Sequence, residues 1–372
     1  MIIGVVKLGA RISFESQGTS GGTGETISLI KMLLGGGAEV VAFSKLIKNE
    51  TAQPLENLLI LDAVDMKDEV NNLPLNALVV LNGNVNFFGG CEDEYQLANY
   101  HIINNFKGPV FYILCDPELT FKQIWPSVSK KEWGKKYKQS NIEVKRSDIF
   151  YVCQPFNTEK VKNALGKNEI TNIRGFAHYP FEKFPFLNPP QDFNKEPSTH
   201  LSYGGTMRGG KRAKKMVKYY FGWPEDVTVE MFGKIALDDF KPKLLQGVVS
   251  PPIFTGPVQY DKMLHKMNQS MSHIVIGDPW YEEISDIPQR CYESILSNCV
   301  TFIDEDLDKC HRVYGNSDIG ELLYVSSKEE VVLKLLEIIN DDSLRKAIIL
   351  EQFLSIGFNE KEYCDNFVKI LE

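Results

Sequence analysis

The chain has 372 residues, of which 43% are hydrophobic and 24% charged, and a formal net charge of -8 at pH 7. That length favours two domains of roughly 180 residues over a single core, and the composition is that of a folded, soluble protein. The acidic balance argues against a protein that coats nucleic acid over its whole surface, while leaving room for a local basic face.

The first half alternates strand-like and helix-like segments. Met1–Lys7 lacks the charged start and cleavage site of a signal peptide and reads as a buried first strand, and no apolar run reaches transmembrane length, so the expected compartment is the cytosol. Glu39–Phe43, Leu58–Leu61, Ala77–Leu81, Val110–Cys115 and Ile149–Val152 are further apolar runs, with helices expected over Thr26–Leu34 and Glu92–Asn105. Apolar runs separated by helix-length segments predict a parallel sheet covered on both faces.

Prolines 180, 185, 189, 190 and 197 then interrupt regular backbone bonding and mark a boundary. Beyond it the same alternation returns. Strands are expected over Leu201–Tyr203, Val227–Phe232, Ile274–Ile276 and Val300–Ile303, and helices over Arg212–Tyr220, Asp261–Met271, Gln289–Leu296, Glu329–Ile339 and Ser343–Phe353. The expected domains are 1–190, 191–350 and a helical tail, 351–372, packing back on the first. Two doubly wound α/β domains would place a ligand in the cleft between their sheet ends.

The most telling motif is Tyr203-Gly204-Gly205-Thr206-Met207-Arg208-Gly209-Gly210-Lys211-Arg212, between a strand and a helix that also carries Lys214, Lys215 and Lys218. It has neither P-loop nor dinucleotide-fingerprint spacing. Backbone N–H groups of Gly204 and Gly205 with the guanidinium groups of Arg208 and Arg212 suit a diphosphate; a tight turn before a solvated basic helix is the competing reading. Arg290 and Glu293 share a helix face at i,i+3, either as a surface ion pair or as an arginine for phosphate and a carboxylate for ribose hydroxyls.

Asp116 follows the run Phe111–Cys115 and should project from the carboxyl edge of the sheet, as a turn cap or as a base that deprotonates an acceptor alcohol. Glu25, after a glycine-rich stretch, and Asp278, after Gly277, are each either helix-start caps or groups for a polyhydroxylated ligand. Against the acidic whole, Lys122, Trp125, Lys130, Lys131, Lys135, Lys136 and Lys138 lie in a basic, aromatic segment that runs on to Arg146, either a solvated loop or a phosphate-backbone footprint. Seven cysteines with no C-x-x-C pair read as buried apolar groups or free thiols, and no tight metal site is visible.

Taken in register, Asn86-Phe87-Phe88-Gly89-Gly90, Asp116 to Trp125-Pro126, Tyr203–Arg212, Phe254-Thr255-Gly256 and Gly277-Asp278 to Glu293 resemble the phage DNA beta-glucosyltransferase family, over residue 1 to beyond 320. The resemblance implies a GT-B fold of two Rossmann-like domains with an interdomain cleft. It also implies a UDP-sugar donor and, as acceptor, 5-hydroxymethylcytosine flipped out of double-stranded DNA. By the same resemblance Asp116 is the general base, Glu25 and Asp278 lie near the sugar or its catalytic surroundings, and Arg208, Arg212 and Arg290 meet the diphosphate. Glu293 would then hold the ribose and the backbone of Val258 the uracil. Mg2+ or Mn2+ is allowed for turnover or product release without a tight protein-only site. A monomer acting in the cytoplasm of a phage-infected bacterium, without membrane association, is implied.

Two departures bear on the donor. The Gln17–Gly24 region is longer and richer in glycine than the family pattern, and Pro279, Trp280, Tyr281, Glu282 and Glu283 differ around the sugar pocket. Trp280 would shrink that pocket, so UDP-arabinose stands beside the favoured UDP-glucose. A DNA-binding protein without catalysis, or a glycosyltransferase for small molecules or polysaccharides, are the competing classes.

Overall fold

Runs of aliphatic and β-branched residues buried on both faces build the strands of this protein. The computed structural model describes residues 1–7, 12, 14, 21–46, 51–81, 94–113, 146, 148–153, 173–175, 197–207, 210–234, 252–259, 262–277, 281–282, 287–357 and 359–372, with the backbone alone at 21–25, 96, 153, 173–175 and 210–211. The chain divides into two compact units, Met1–Glu182 with Glu360–Glu372, and Lys183–Asn359.

The first unit contains β1 (Ile2–Lys7), α1 (Gly21–Gly35), β2 (Glu39–Ser44), β3 (Leu58–Asp62), α2 (Ala63–Met66), β4 (Ala77–Leu81), α3 (Glu94–Asn105), β5 (Val110–Ile113), β6 (Ile149–Cys153) and β7 (Ile173–Gly175). The strands form one parallel sheet in the order β3-β2-β1-β4-β5-β6-β7. Its direction of winding reverses between β1 and β4, where the registers Val6↔Val80 and Lys7↔Leu81 bring two carboxyl ends together. Val6, Leu78 and Val80 pack with Tyr95, Ala98 and Ile102 of α3. Arg146, the last cation of the basic segment, is a clamp: it binds Asp148 at 2.6 Å and donates to the Gly108 carbonyl at 3.0 Å.

The second unit contains β8 (Thr199–Gly204), α4 (Gly210–Tyr220), β9 (Val229–Phe232), β10 (Ile253–Thr255), α5 (Met263–Asn268), β11 (Ser270–Val275), α6 (Gln289–Leu296), β12 (Val300–Asp304), α7 (Asp318–Leu323), β13 (Tyr324–Val325), α8 (Lys328–Asn340) and α9 (Asp342–Ser355). Its parallel order, β10-β9-β8-β11-β12-β13, repeats the plan of the first sheet, with the reversal between β8 and β11. The core is continuous from Leu201 and Tyr203 through Ile274 and Phe302 to Ile348 and Phe353. Among the described residues no helix is long and apolar enough to cross a membrane, and Cys291, Cys299, Cys310 and Cys364 are free thiols.

Three expectations need correction. The helix expected over Asp261–Met271 stops at Asn268, and β11 starts at Ser270. Its serines hide the strand in the sequence, because Ser270 Oγ pairs with Thr199 Oγ1 at 2.7 Å and Ser272 Oγ donates to the His200 carbonyl at 2.7 Å. The first division, expected at 190, falls at Glu182/Lys183, still inside the proline-marked stretch 179–197.

The return to the first unit starts at Glu360 and not at 351. The reason is α9, which runs on to Ser355 and inserts the fully buried Gln352 into the second unit. There the Gln352 carboxamide oxygen accepts from the Thr301 N–H at 3.0 Å, and its nitrogen donates to the Cys299 carbonyl. The following helix, α10 (Glu360–Ile370), belongs to the first unit. A methyl group on Gly36 would lie 2.5 Å from Val368 Cγ2 and 2.8 Å from the Cys364 carbonyl oxygen, so α10 sits directly on the end of α1.

Gln352→Leu keeps the volume but strands two buried backbone groups. We expect it to cost about 2–4 kcal/mol in urea unfolding; an unchanged midpoint would mean those groups find other partners.

Candidate functional site

The carboxyl edge of the second sheet is built by backbone closeness. The turns after β8 and β9 are laced together, the Gly205 N–H donating to the Phe232 carbonyl at 3.0 Å and Met207 to Lys234 at 2.9 Å, and Gly233 donates onward to Gly256, after β10, at 3.2 Å. Gly233 has φ +134° and a Cβ there would lie 2.0 Å from the Gly205 oxygen, so a side chain is excluded. A Cβ on Gly204 would strike the Phe232 ring at 2.6 Å and lie 3.5 Å from Arg290 Nη1. The guanidinium of Arg290 thus reaches the glycine turn because no side chain stands there.

The charged groups at this edge come from different elements. On α6, Arg290 Nη1 lies 2.9 Å from Glu293 Oε2, with Glu293 nearly fully buried and Arg290 23% exposed. The cation therefore faces outward and the carboxylate holds it from behind. On α4, Arg212 Nη2 donates to the Tyr203 hydroxyl at 2.7 Å, which fixes the guanidinium beside the end of β8. Val258 packs on Phe232, Met263 and Met267, and Met267 Sδ in turn lies 3.7 Å from Arg290 Nη1.

Buried polar groups support this surface. Glu230 Oε1 accepts from Thr255 Oγ1 at 2.8 Å and binds Lys266 Nζ at 2.8 Å, joining β9, β10 and α5. Fully buried His273 stacks on Tyr203 with ring centroids 6.1 Å apart. Burial and then the nearby charge of Arg290, opposed by the Ser202 backbone, push its pKa down to about 3. The imidazole is therefore neutral at physiological pH.

The basic face expected on α4 is in part spoken for. Lys215 lies 2.5 Å from Glu282, binds Asp304 and lies 3.4 Å from Asp306. Burial opposes its charge, but the bonds to Asp304 and Glu282 outweigh that and hold its pKa above the ordinary lysine value. Lys218 donates to the Ser326 carbonyl at 2.6 Å, which leaves Lys214 exposed to solvent.

The structure brings Gly204, Gly205, Arg212, Arg290, Glu293 and Val258 to one edge of the second unit, but the Gly205 N–H expected to face a diphosphate is spent on the Phe232 carbonyl. Glu25 falls in the first turns of α1, with its backbone described. Asp116, Arg208, Asp278, Lys122, Trp125, Lys130, Lys131, Lys135, Lys136 and Lys138 lie outside the described residues. Sequence reasoning gave the Tyr203 hydroxyl no role as support for Arg212 and passed over Glu230, Lys266 and His273. A polar or charged residue inside an apolar strand, as at Glu230 and His273, was the available signal. Among the described residues no group of three or more His, Cys, Asp or Glu could hold a metal ion.

The family model for bacteriophage T4 beta-glucosyltransferase matches residues 3–185. The DNA beta-glucosyltransferase of Enterobacteria phage T4 is 29% identical over 285 residues, covering 76% of this chain and 78% of that protein. Both matches are to the T4-type DNA beta-glucosyltransferase family, which the first half of the chain resembles by its family model and three quarters of the chain by sequence. Among solved structures, the T4 phage enzyme in complex with its UDP-glucose substrate is similar with a TM-score of 0.72 and 25% identity, covering both chains completely. The same enzyme in complex with UDP and Mn2+ gives a TM-score of 0.71 at 27% identity, again over both chains in full. The parallel sheets and their helices are consistent with a GT-B-like glycosyltransferase architecture.

His273 supplies a pH dependence of stability. Its folded pKa is depressed from 6.5 to about 3, so the unfolded chain binds the proton first. Stability is whole above pH 6.5, falls from there towards pH 3, and levels off once both states are protonated. The expected loss is on the order of a few kcal/mol. His273→Leu should flatten that slope in urea titrations between pH 7 and 4, and an unchanged slope would exclude His273 as its source.

Proposed function

We propose that this protein is an inverting, UDP-sugar-dependent glycosyltransferase that modifies the hydroxymethyl oxygen of 5-hydroxymethylcytosine in double-stranded DNA. The carrying observation is the Arg290–Glu293 pair beside the Gly204 turn and Arg212, on the second unit of a chain that resembles this family. A buried carboxylate behind a partly exposed arginine separates ribose from phosphate chemistry, and the closely packed glycine backbone leaves room for oxygen-rich ligands. The donor, glucose favoured, follows the phage T4 relative solved with UDP-glucose.

In this reading the units are two Rossmann-like domains of a GT-B enzyme. Arg208, Arg212 and Arg290 neutralise the diphosphate, Glu293 accepts from ribose hydroxyls, the backbone at Val258 reads uracil, and Asp278 and Glu25 line the sugar and its surroundings. Asp116 takes the proton of the hydroxymethyl group as its oxygen attacks the anomeric carbon. The new C–O bond forms opposite the diphosphate as the old one breaks, and UDP leaves with the electron pair, which inverts the configuration.

DNA is held through its phosphates by Lys122, Lys130, Lys131, Lys135, Lys136 and Lys138 with Trp125 among them, and the modified base is flipped to the acceptor side. The protein works as a monomer in the cytoplasm of the infected host cell.

Intact-mass analysis of a short duplex containing 5-hydroxymethylcytosine, incubated with UDP-glucose or UDP-arabinose, tests the assignment. A hexose-sized gain is expected with UDP-glucose. A pentose-sized gain from UDP-arabinose alone would move the donor to arabinose, and no gain with either would reject the reaction.

Asp116→Asn keeps size but cannot accept a proton. Transfer should fall by about 10²-fold or more while UDP affinity stays within about tenfold. A fully active variant would remove Asp116 from the role of base.

A further inference from the structure

Lys215 stands one turn beyond Arg212 on α4, and its ammonium is spent inside the protein. It lies 2.5 Å from Glu282, binds Asp304 at the carboxyl end of β12, and lies 3.4 Å from Asp306. The hydroxyl of Tyr219, from the same helix, donates to the other Asp304 oxygen at 2.9 Å. Glu282 belongs to the connection between β11 and α6, the helix that carries Arg290. The start of that connection is packed close, since a Cβ on Gly277 would lie 3.2 Å from Tyr281 Cβ and 2.6 Å from Leu307 Cδ1.

One ammonium therefore ties three parts of the second unit together: the helix of Arg212, the approach to the helix of Arg290, and the end of β12. Arg212 is itself fixed by the Tyr203 hydroxyl and Arg290 by Glu293, so what is left to set is the distance between the two helices. We propose that Lys215 is a positioning residue which, by clamping Glu282 and Asp304, sets the spacing of Arg212 and Arg290 for a nucleoside diphosphate. This rests on the donor reading given above. Lys215 touches no ligand. A diphosphate needs both guanidinium groups at a fixed separation, whereas a single phosphate is satisfied by either.

Isothermal titration of UDP and UMP into the full-length protein, wild type and variants, separates the possibilities. Glu282→Gln removes a negative charge near the diphosphate, so Coulomb attraction alone would tighten UDP binding. Spacing control makes the opposite prediction: UDP affinity falls about fivefold, with UMP affinity changed by less than about twofold. Lys215→Met should weaken UDP by about tenfold, and Lys215→Arg, which can still bridge both carboxylates, should restore most of it.

If Lys215→Met fails to fold, Glu282→Gln carries the test, because it leaves the Lys215–Asp304 bond in place. UDP binding by Glu282→Gln that is unchanged or tighter, or an equal loss for UDP and UMP, would overturn the proposal. A wild-type protein that does not bind UDP would instead overturn the donor reading on which the proposal stands.

Discussion

The second unit depends on one steric constraint, the contact between the Gly205 and Gly233 turns. With a Cβ on Gly233 placed 2.0 Å from the Gly205 oxygen, the turns after β8 and β9 could not lie together. The hydrogen bonds between them would then be lost, and with them the floor on which Arg290 rests. A glycine there is the condition for bringing a guanidinium and the packed Val258 to one strand edge. Strand order adds the second condition, because the reversal between β8 and β11 opens the sheet at that edge.

Charge at this edge is sorted by burial rather than by number. Arg290 is backed by an almost inaccessible carboxylate, and Arg212 by a hydroxyl. The neighbouring cations Lys215 and Lys218 are consumed by partners within the unit. A guanidinium suits the outward task, since its planar fork can hold a support on one side and a phosphate on the other. Lysine, a compact point charge, suits a clamp on several carboxylates. The neutral imidazole of His273 beneath Tyr203 adds bulk without adding like charge behind Arg290.

Much of the alternation was legible because strands buried on both faces are nearly continuous apolar runs, as in Ala77–Leu81, where all five residues are inaccessible. Gln289–Leu296 could be read to its ends, with Pro288 before it and the helix-breaking Ser297-Asn298 after it. The short strands β7, β10 and β13 were missed, since two or three residues carry no period. In β11 the serines concealed a strand whose polar atoms are satisfied by its neighbour β8. The glycine turn, Arg212 and the Arg290–Glu293 spacing were local signals. The clamp on Lys215 was not, because its partners Glu282 and Asp304 are distant in sequence and meet it only through the sheet.

The return of the chain to the first unit also orders its folding. Val368 and Cys364 cover the end of α1, yet they follow the whole of Lys183–Asn359 in the chain. During synthesis the seven-stranded sheet can therefore assemble early while one patch of α1 stays bare. The last piece arrives only after the second unit has been made. The apolar cover of that patch is thus a delayed closure, and the first unit is complete only when the polypeptide that interrupts it has already had time to fold.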